Sequence, residues 1–166
     1  MMQRLICSVA LLVMLVVNMP SLAQQSKGEV LDDPELTAAR ELLQAGREEI
    51  IRDEIRFTES EAAAFWPTYE KYRADVLKVR DQHAQLVADY LQAYRAGTVP
   101  EDDAERFVDE YLDIKSDLLK VQKRHLRYFR KALPARKAAR FFQLENKLDA
   151  ELEVQLARFV PLIDAN

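Results

Sequence analysis

Apolar and aromatic side chains recur at alternating steps of four and three residues in two long runs. The first is Phe65, Tyr69, Tyr72, Val76, Val79, His83, Leu86 and Tyr90; the second is Phe107, Tyr111, Ile114, Leu118, Val121, His125 and Tyr128. That spacing gathers each set on one side of an α-helix, and no strand of period two can use it. Between the runs stands Gly97, the residue best suited to the left-handed turn that ends a helix. Two long helices folded back on each other are the primary expectation, with the turn near Gly97-Thr98.

The flanking segments extend the pattern. Asp33-Pro34-Glu35 combines a capping residue, a proline at the first helical position and an acid in the first turn. Leu36, Ala39, Leu43, Gly46 and Ile50 follow at helical steps. Thr58 with Glu61 has capping-box spacing, and Thr98 with Glu101 repeats it around Pro100. Leu133-Pro134 opens a last run of Phe141, Leu144, Leu148, Leu152, Leu156 and Phe159, which Pro161 stops. The expected helices are 34–54, 58–97, 99–132 and 134–159, the last three roughly 60, 50 and 40 Å long at 1.5 Å per residue. Short connections make sequential helices antiparallel. The expected fold class is all-α: an elongated, curved or straight, up-down helical domain over 34–160, with a tail at 161–166.

The chain begins with Arg4, the apolar run Leu5–Val17, Pro20 and a small-x-small exit at Ser21-Leu22-Ala23, the pattern of a signal peptide cut after Ala23. Its 13 apolar residues fall short of the ~20 that span a bilayer, which disfavours an uncleaved anchor. Residues 24–33 read as a polar leader. The net charge of −4 becomes −5 without Arg4, and the only cysteine, Cys7, leaves with the signal, so no disulfide is available to the periplasmic or secreted product. Export makes nucleic acid an unsuitable partner.

FTESEAAAFWPTYEKY (57–72) and LPARKAARFFQLENKL (133–148) align at an offset of 76 residues, matching Ala62-Ala63 with Ala138-Ala139, Phe65-Trp66 with Phe141-Phe142 and Lys71 with Lys147. The alternatives are a duplicated helical hairpin and a coincidence of alanine-rich helices. Trp66-Pro67 belongs to the first copy only. A proline nine residues past Thr58 is expected to bend the helix, with Phe65 and Trp66 packed across the bend.

A secreted, all-helical chain whose two repeats each open on a hydrophobic residue plus Thr or Pro resembles the Spy/CpxP family of periplasmic stress proteins. The family's Leu-Thr-x-x-Gln signature is matched literally only by Thr58 and Leu133, and neither site has the Gln. The chain also looks like secreted helical proteins with FWPxYxxY and RFFQLENK stretches. The resemblance implies a curved helical protein, usually a homodimer, that holds partly unfolded envelope proteins without ATP or meets a stress-sensor domain; zinc-binding relatives occur in the wider group.

Three site expectations follow from the residues. Lys120, Lys123, Arg124, Arg127, Arg130, Lys131, Arg136, Lys137 and Arg140 crowd into 120–140 without one acid. They form either a solvated surface neutralised in part by the acidic stretch 47–61, or a patch for acidic clients, a sensor domain or anionic lipid headgroups. His83 and His125 lie on the seams but, in a hairpin turning at Gly97, stand about 20 Å apart along the helices, so they make no metal pair and no metal or other cofactor is expected. Lacking a phosphate loop, a nucleophile elbow, Glu-x-x-His pairs or a His-acid pair at short spacing, the chain is not expected to be an enzyme. A structural or sensor-regulating interaction protein without client-holding activity is the rival function. The seam tyrosines are expected in the core, or alternatively on an open face that meets clients.

Overall fold

The structure, a computed structural model, describes the backbone of residues 34–163 and the side chains of residues 44–163. The expected signal peptide with Cys7, the leader, the side chains of Leu36, Ala39 and Leu43, and the last three residues of the tail lie outside that range. Four helices account for the described chain: α1 (Pro34–Ile55), α2 (Glu59–Arg95), α3 (Glu101–Ala132) and α4 (Ala135–Phe159). No strand occurs among the described residues, and none of these helices is long and apolar enough to cross a membrane. The fold is all-α.

Local chemistry sets the helix ends. Thr58 caps α2: its hydroxyl accepts from the Glu61 backbone N–H at 3.3 Å while the Glu61 carboxylate accepts from the Thr58 N–H at 2.8 Å. Gly97, at φ +103°, follows the last turn of α2 in the left-handed conformation. The second expected cap is corrected. α3 starts at Glu101 with extended Pro100 in the capping position and no side-chain cap bond. Thr98 therefore stands outside the helix, and Glu101, Asp102 and Asp103 in the first turn balance the helix dipole instead. Arg56 takes φ +52° in the turn between α1 and α2, its N–H donating to the Arg52 carbonyl at 3.2 Å.

The chain divides into two compact units, one made by α1 with α4 and the other by α2 with α3. In the α2–α3 hairpin, Phe65 stands against Phe129, Tyr72 against His125, His83 against Tyr111 and Tyr90 against Phe107, with ring centroids 5.5 to 5.9 Å apart. The numbers fall on one strand of contacts as they rise on the other, so the helices are antiparallel. Phe65, Tyr69, Tyr72 and Phe129 are fully buried. Each contributes roughly 1.5 to 3 kcal/mol through removal from water.

The seam drifts by one residue toward its ends. Phe129, not the expected Tyr128, closes the buried line of α3, and Leu91 is buried where Tyr90 is only partly so. A strict 3.5-residue repeat runs ahead of a straight 3.6-residue helix by about 20° per heptad, so His125 is followed on the inner face by Phe129. Tyr111 and Tyr128, expected in the core, are 40% and 41% exposed.

In the α1–α4 unit, Ile51, Ile55, Ala138, Phe141 and Leu148 form the apolar core. Glu145 lies fully buried among them, at a position the apolar pattern assigned to its neighbour Leu144. The two sequence copies carry the same burial pattern. Phe65 and Phe141 are both fully enclosed, Tyr69 corresponds to Glu145, and Tyr72 to Leu148. The following ring packs edge-on in each copy, Trp66 at 5.1 Å from Phe65 and Phe142 at 5.2 Å from Phe141.

Candidate functional site

The basic segment is shared between the two units. On α3, Arg124 donates to Asp75 at 2.8 Å and Lys120 to Asp117 at 2.8 Å. Asp117 holds the Lys120 ammonium above its usual range. Arg127 lies over the Tyr128 ring at 4.7 Å and donates to its hydroxyl. Lys123, Arg130 and Lys131 have no carboxylate within ion-pair distance among the described residues. In the other unit, Arg140 donates to the Glu54 carbonyl at 2.7 Å and pairs with its carboxylate, while Lys137 donates to the Arg56 carbonyl at 2.8 Å. Arg136 has no such partner among the described residues. The acidic stretch 47–61 thus neutralises Arg140 but leaves most of the cations to solvent.

Two polar clusters escaped the sequence reading. In the α2–α3 hairpin, the buried ring of His125 places Nε2 2.9 Å from Asp75 Oδ2. That bond, with Lys78 and Arg124 close by, holds the Asp75 carboxyl below its ordinary value against a smaller opposing cost of burial. In the α1–α4 unit, Arg47 Nε donates to Glu145 Oε1 at 3.0 Å and Arg47 Nη2 to Asp149 Oδ1 at 2.7 Å. Glu145 Oε2 is buried and accepts no hydrogen bond from the described residues. A shared spacing reveals both clusters once the fold is known. Arg47, Ile51 and Ile55 repeat His125, Phe129 and Leu133 at steps of four, and all six are buried. In each unit one inward cationic or ionisable group is followed by two apolar turns, and it meets acids from the opposing helix.

The histidines occupy separate places: His83 stands 5.9 Å from the Tyr111 ring, and His125 sits with Asp75, Tyr72 and Tyr128. No group of three His, Cys, Asp or Glu side chains suited to a metal ion occurs among the described residues. At the expected bend, α2 runs uninterrupted through Pro67, which is exposed. Trp66 is half-buried between Phe65 and Tyr69, with its ring perpendicular to both.

Large apolar side chains remain exposed on the hairpin. They are Leu77 and Tyr94 on α2, and Val108, Tyr111, Leu112, Leu119 and Tyr128 on α3. Two helices alone cannot enclose apolar residues on more than one side of each. Comparison with protein-family models, curated proteins and solved structures finds no match to this chain.

Proposed function

We propose that this chain is an exported binding protein that holds partly unfolded envelope proteins without ATP, in the manner of the Spy/CpxP-like stress proteins it resembles. The observation that carries the reading is the set of exposed Leu77, Tyr94, Tyr111 and Tyr128 side chains on one two-helix hairpin, beside cations that lack carboxylate partners. Exposed aromatics give sequence-tolerant contact with apolar segments, and cations attract acidic ones. Neither needs a cofactor or a catalytic group. The test is suppression of aggregation of several chemically unfolded clients at stoichiometric ratios. Protection that weakens when Tyr111 and Tyr128 are changed to Ser supports the reading, and no protection of any client removes it.

The unpartnered cations favour a second reading, an adaptor that meets an acidic sensor domain or anionic headgroups without holding clients. Neutralising Lys123, Arg127, Arg130 and Lys131 to Gln then abolishes a salt-dependent association with that partner, and the unaltered protein protects no client from aggregation. The same variant binding its partner with unaltered affinity and salt dependence eliminates that reading.

A further inference from the structure

Neither reading uses the amino-terminal half of α3. Glu101, Glu105, Val108 and Leu112 follow one another at steps of four, three and four, so they share one face of the helix, turned away from buried Phe107, whose ring packs on Tyr90 of α2. Val108 and Leu112 are 59% and 57% exposed, the most open large apolar side chains of the hairpin. Acids surround them. Residues 101–113 hold seven acids and one base, Arg106, which pairs with Asp103 at 2.9 Å and Glu110 at 3.0 Å. Glu101, Glu105 and Asp109 have no ion-pair partner among the described residues. Asp109 lies about 100° around the helix from Val108, on the side of Glu105, and borders the apolar pair there. Acids alone on a helix are an ordinary solvated face. An open apolar pair among them is different, because water solvates the carboxylates but gains nothing from Val108 and Leu112.

We infer that this face docks a cationic amphipathic helix of another protein, which seats apolar side chains on Val108 and Leu112 and turns lysines or arginines toward Glu101, Glu105 and Asp109. The sign of the charge selects that occupant. A purely apolar segment takes water from Glu105 and Asp109 without replacing it, and an acidic segment meets like charge; each costs free energy. A basic amphipathic helix supplies apolar contact at the centre and counter-charge at the margin, anchored by side chains one turn apart. From Glu101 to Asp113 α3 rises about 18 Å, so a partner segment of about three to four turns covers the face. With a short apolar centre and a charged margin, the association is expected to be sensitive to salt. The inference goes beyond both readings and rests on neither. It uses none of the aromatic side chains that carry client holding, and its partner is opposite in sign to the acidic one that suits the cations at the other end of α3.

Fluorescence anisotropy of the purified protein with a labelled, amidated peptide of leucine and lysine, about four helical turns long and apolar at i, i+3, i+4 and i+7, tests it. Saturable one-to-one binding with a Kd below about 100 μM is expected at low salt, as suits a small interface. It is expected to weaken at least tenfold between about 50 and 500 mM salt. A peptide of the same composition in non-amphipathic order, and one with glutamate in place of lysine, are each expected to bind at least tenfold more weakly. Three variants, each keeping the wild-type circular dichroism, locate the site. Glu101→Gln/Glu105→Gln/Asp109→Asn is expected to bind at least tenfold more weakly at low salt and to lose most of the salt dependence. Val108→Ser/Leu112→Ser is expected to bind at least tenfold more weakly and to keep the salt dependence. Glu49→Gln/Glu59→Gln/Glu70→Gln, which removes three exposed carboxylates elsewhere, is expected to stay within about twofold of wild type. Absence of saturable binding, equal binding of either altered peptide, or an equal loss in the last variant overturns the proposal. A wild-type dimer that the peptide does not dissociate gives the face to a second copy and overturns it equally. Failure of the aggregation assay bears on client holding alone.

Discussion

His125 Nε2 lies 2.9 Å from Asp75 Oδ2, tying α3 to α2 across fifty residues of sequence at the edge of the aromatic core. Tyr72 packs edge-on against the same imidazole at 5.6 Å, so the ring is held between an acid and an aromatic face. Lys78 and Arg124 complete the charged surroundings of Asp75.

This pairing predicts an acid-labile contribution to stability. The Asp75 pKa is lowered in the folded state, chiefly by His125, so the stabilisation is fully present above the ordinary carboxylate value of about 3.9 and is lost as pH falls through the lower folded value. Thermal unfolding between pH 2 and 6 should show wild type losing this part below about pH 4. Asp75→Asn should be less stable at pH 6, by on the order of 1 kcal/mol, and should depend less on pH at the acid end. Parallel curves for the two proteins would remove the assignment.

Arg47 is predicted to matter more through what it leaves behind than through what it adds. Arg47→Ala strands the buried Glu145 carboxylate and removes the Arg47–Asp149 contact, and should cost about 3 to 5 kcal/mol in urea unfolding. Arg47→Met/Glu145→Leu replaces both buried charges with apolar volume and should recover most of that loss.

The two threonine caps should separate cleanly. Thr58→Ala breaks a formed capping box and should destabilise by about 1 kcal/mol. Thr98→Ala, outside α3, should stay within about 0.5 kcal/mol of wild type in the same unfolding measurement.

Pro67 lies in an uninterrupted helix, where its ring nitrogen cannot donate to the Ala63 carbonyl. Pro67→Ala restores that donor and should raise stability by roughly 1 to 2 kcal/mol after the greater freedom of the unfolded chain is counted. If the proline also sets a bend, small-angle scattering profiles of the two proteins will differ. Identical profiles show the proline to be incidental to shape.

Helix identity was legible because it rests on local periodicity. Phe65, Tyr69, Tyr72, Val76 and Val79 declared their buried face by spacing alone, and Thr58 with Glu61 declared its cap. Thr98 with Glu101 has the same spacing and makes no cap, since the choice of first helical turn depended on where Pro100 fixed the chain. Tyr128 and Phe129 are adjacent, and only the accumulated twist of a whole packed helix decided which one faced inward.

The sequence by itself determined the four helices of the described residues, where they begin and end to within two residues, and that nine cations gather without an acid around the α3–α4 turn. Those properties are set by contacts a few residues apart. Only the tertiary structure decided that α1 joins α4 in a unit of their own, apart from the α2–α3 hairpin that the sequence already implied. It also decided that Glu145 is buried on Arg47, that Asp75 receives His125, and that Lys123 and Arg130 keep no acid of their own among the described residues. A carboxylate on a helix looks the same in sequence whether it faces water or a buried guanidinium. Its surroundings are fixed by residues fifty to a hundred positions away, and no local pattern encodes them.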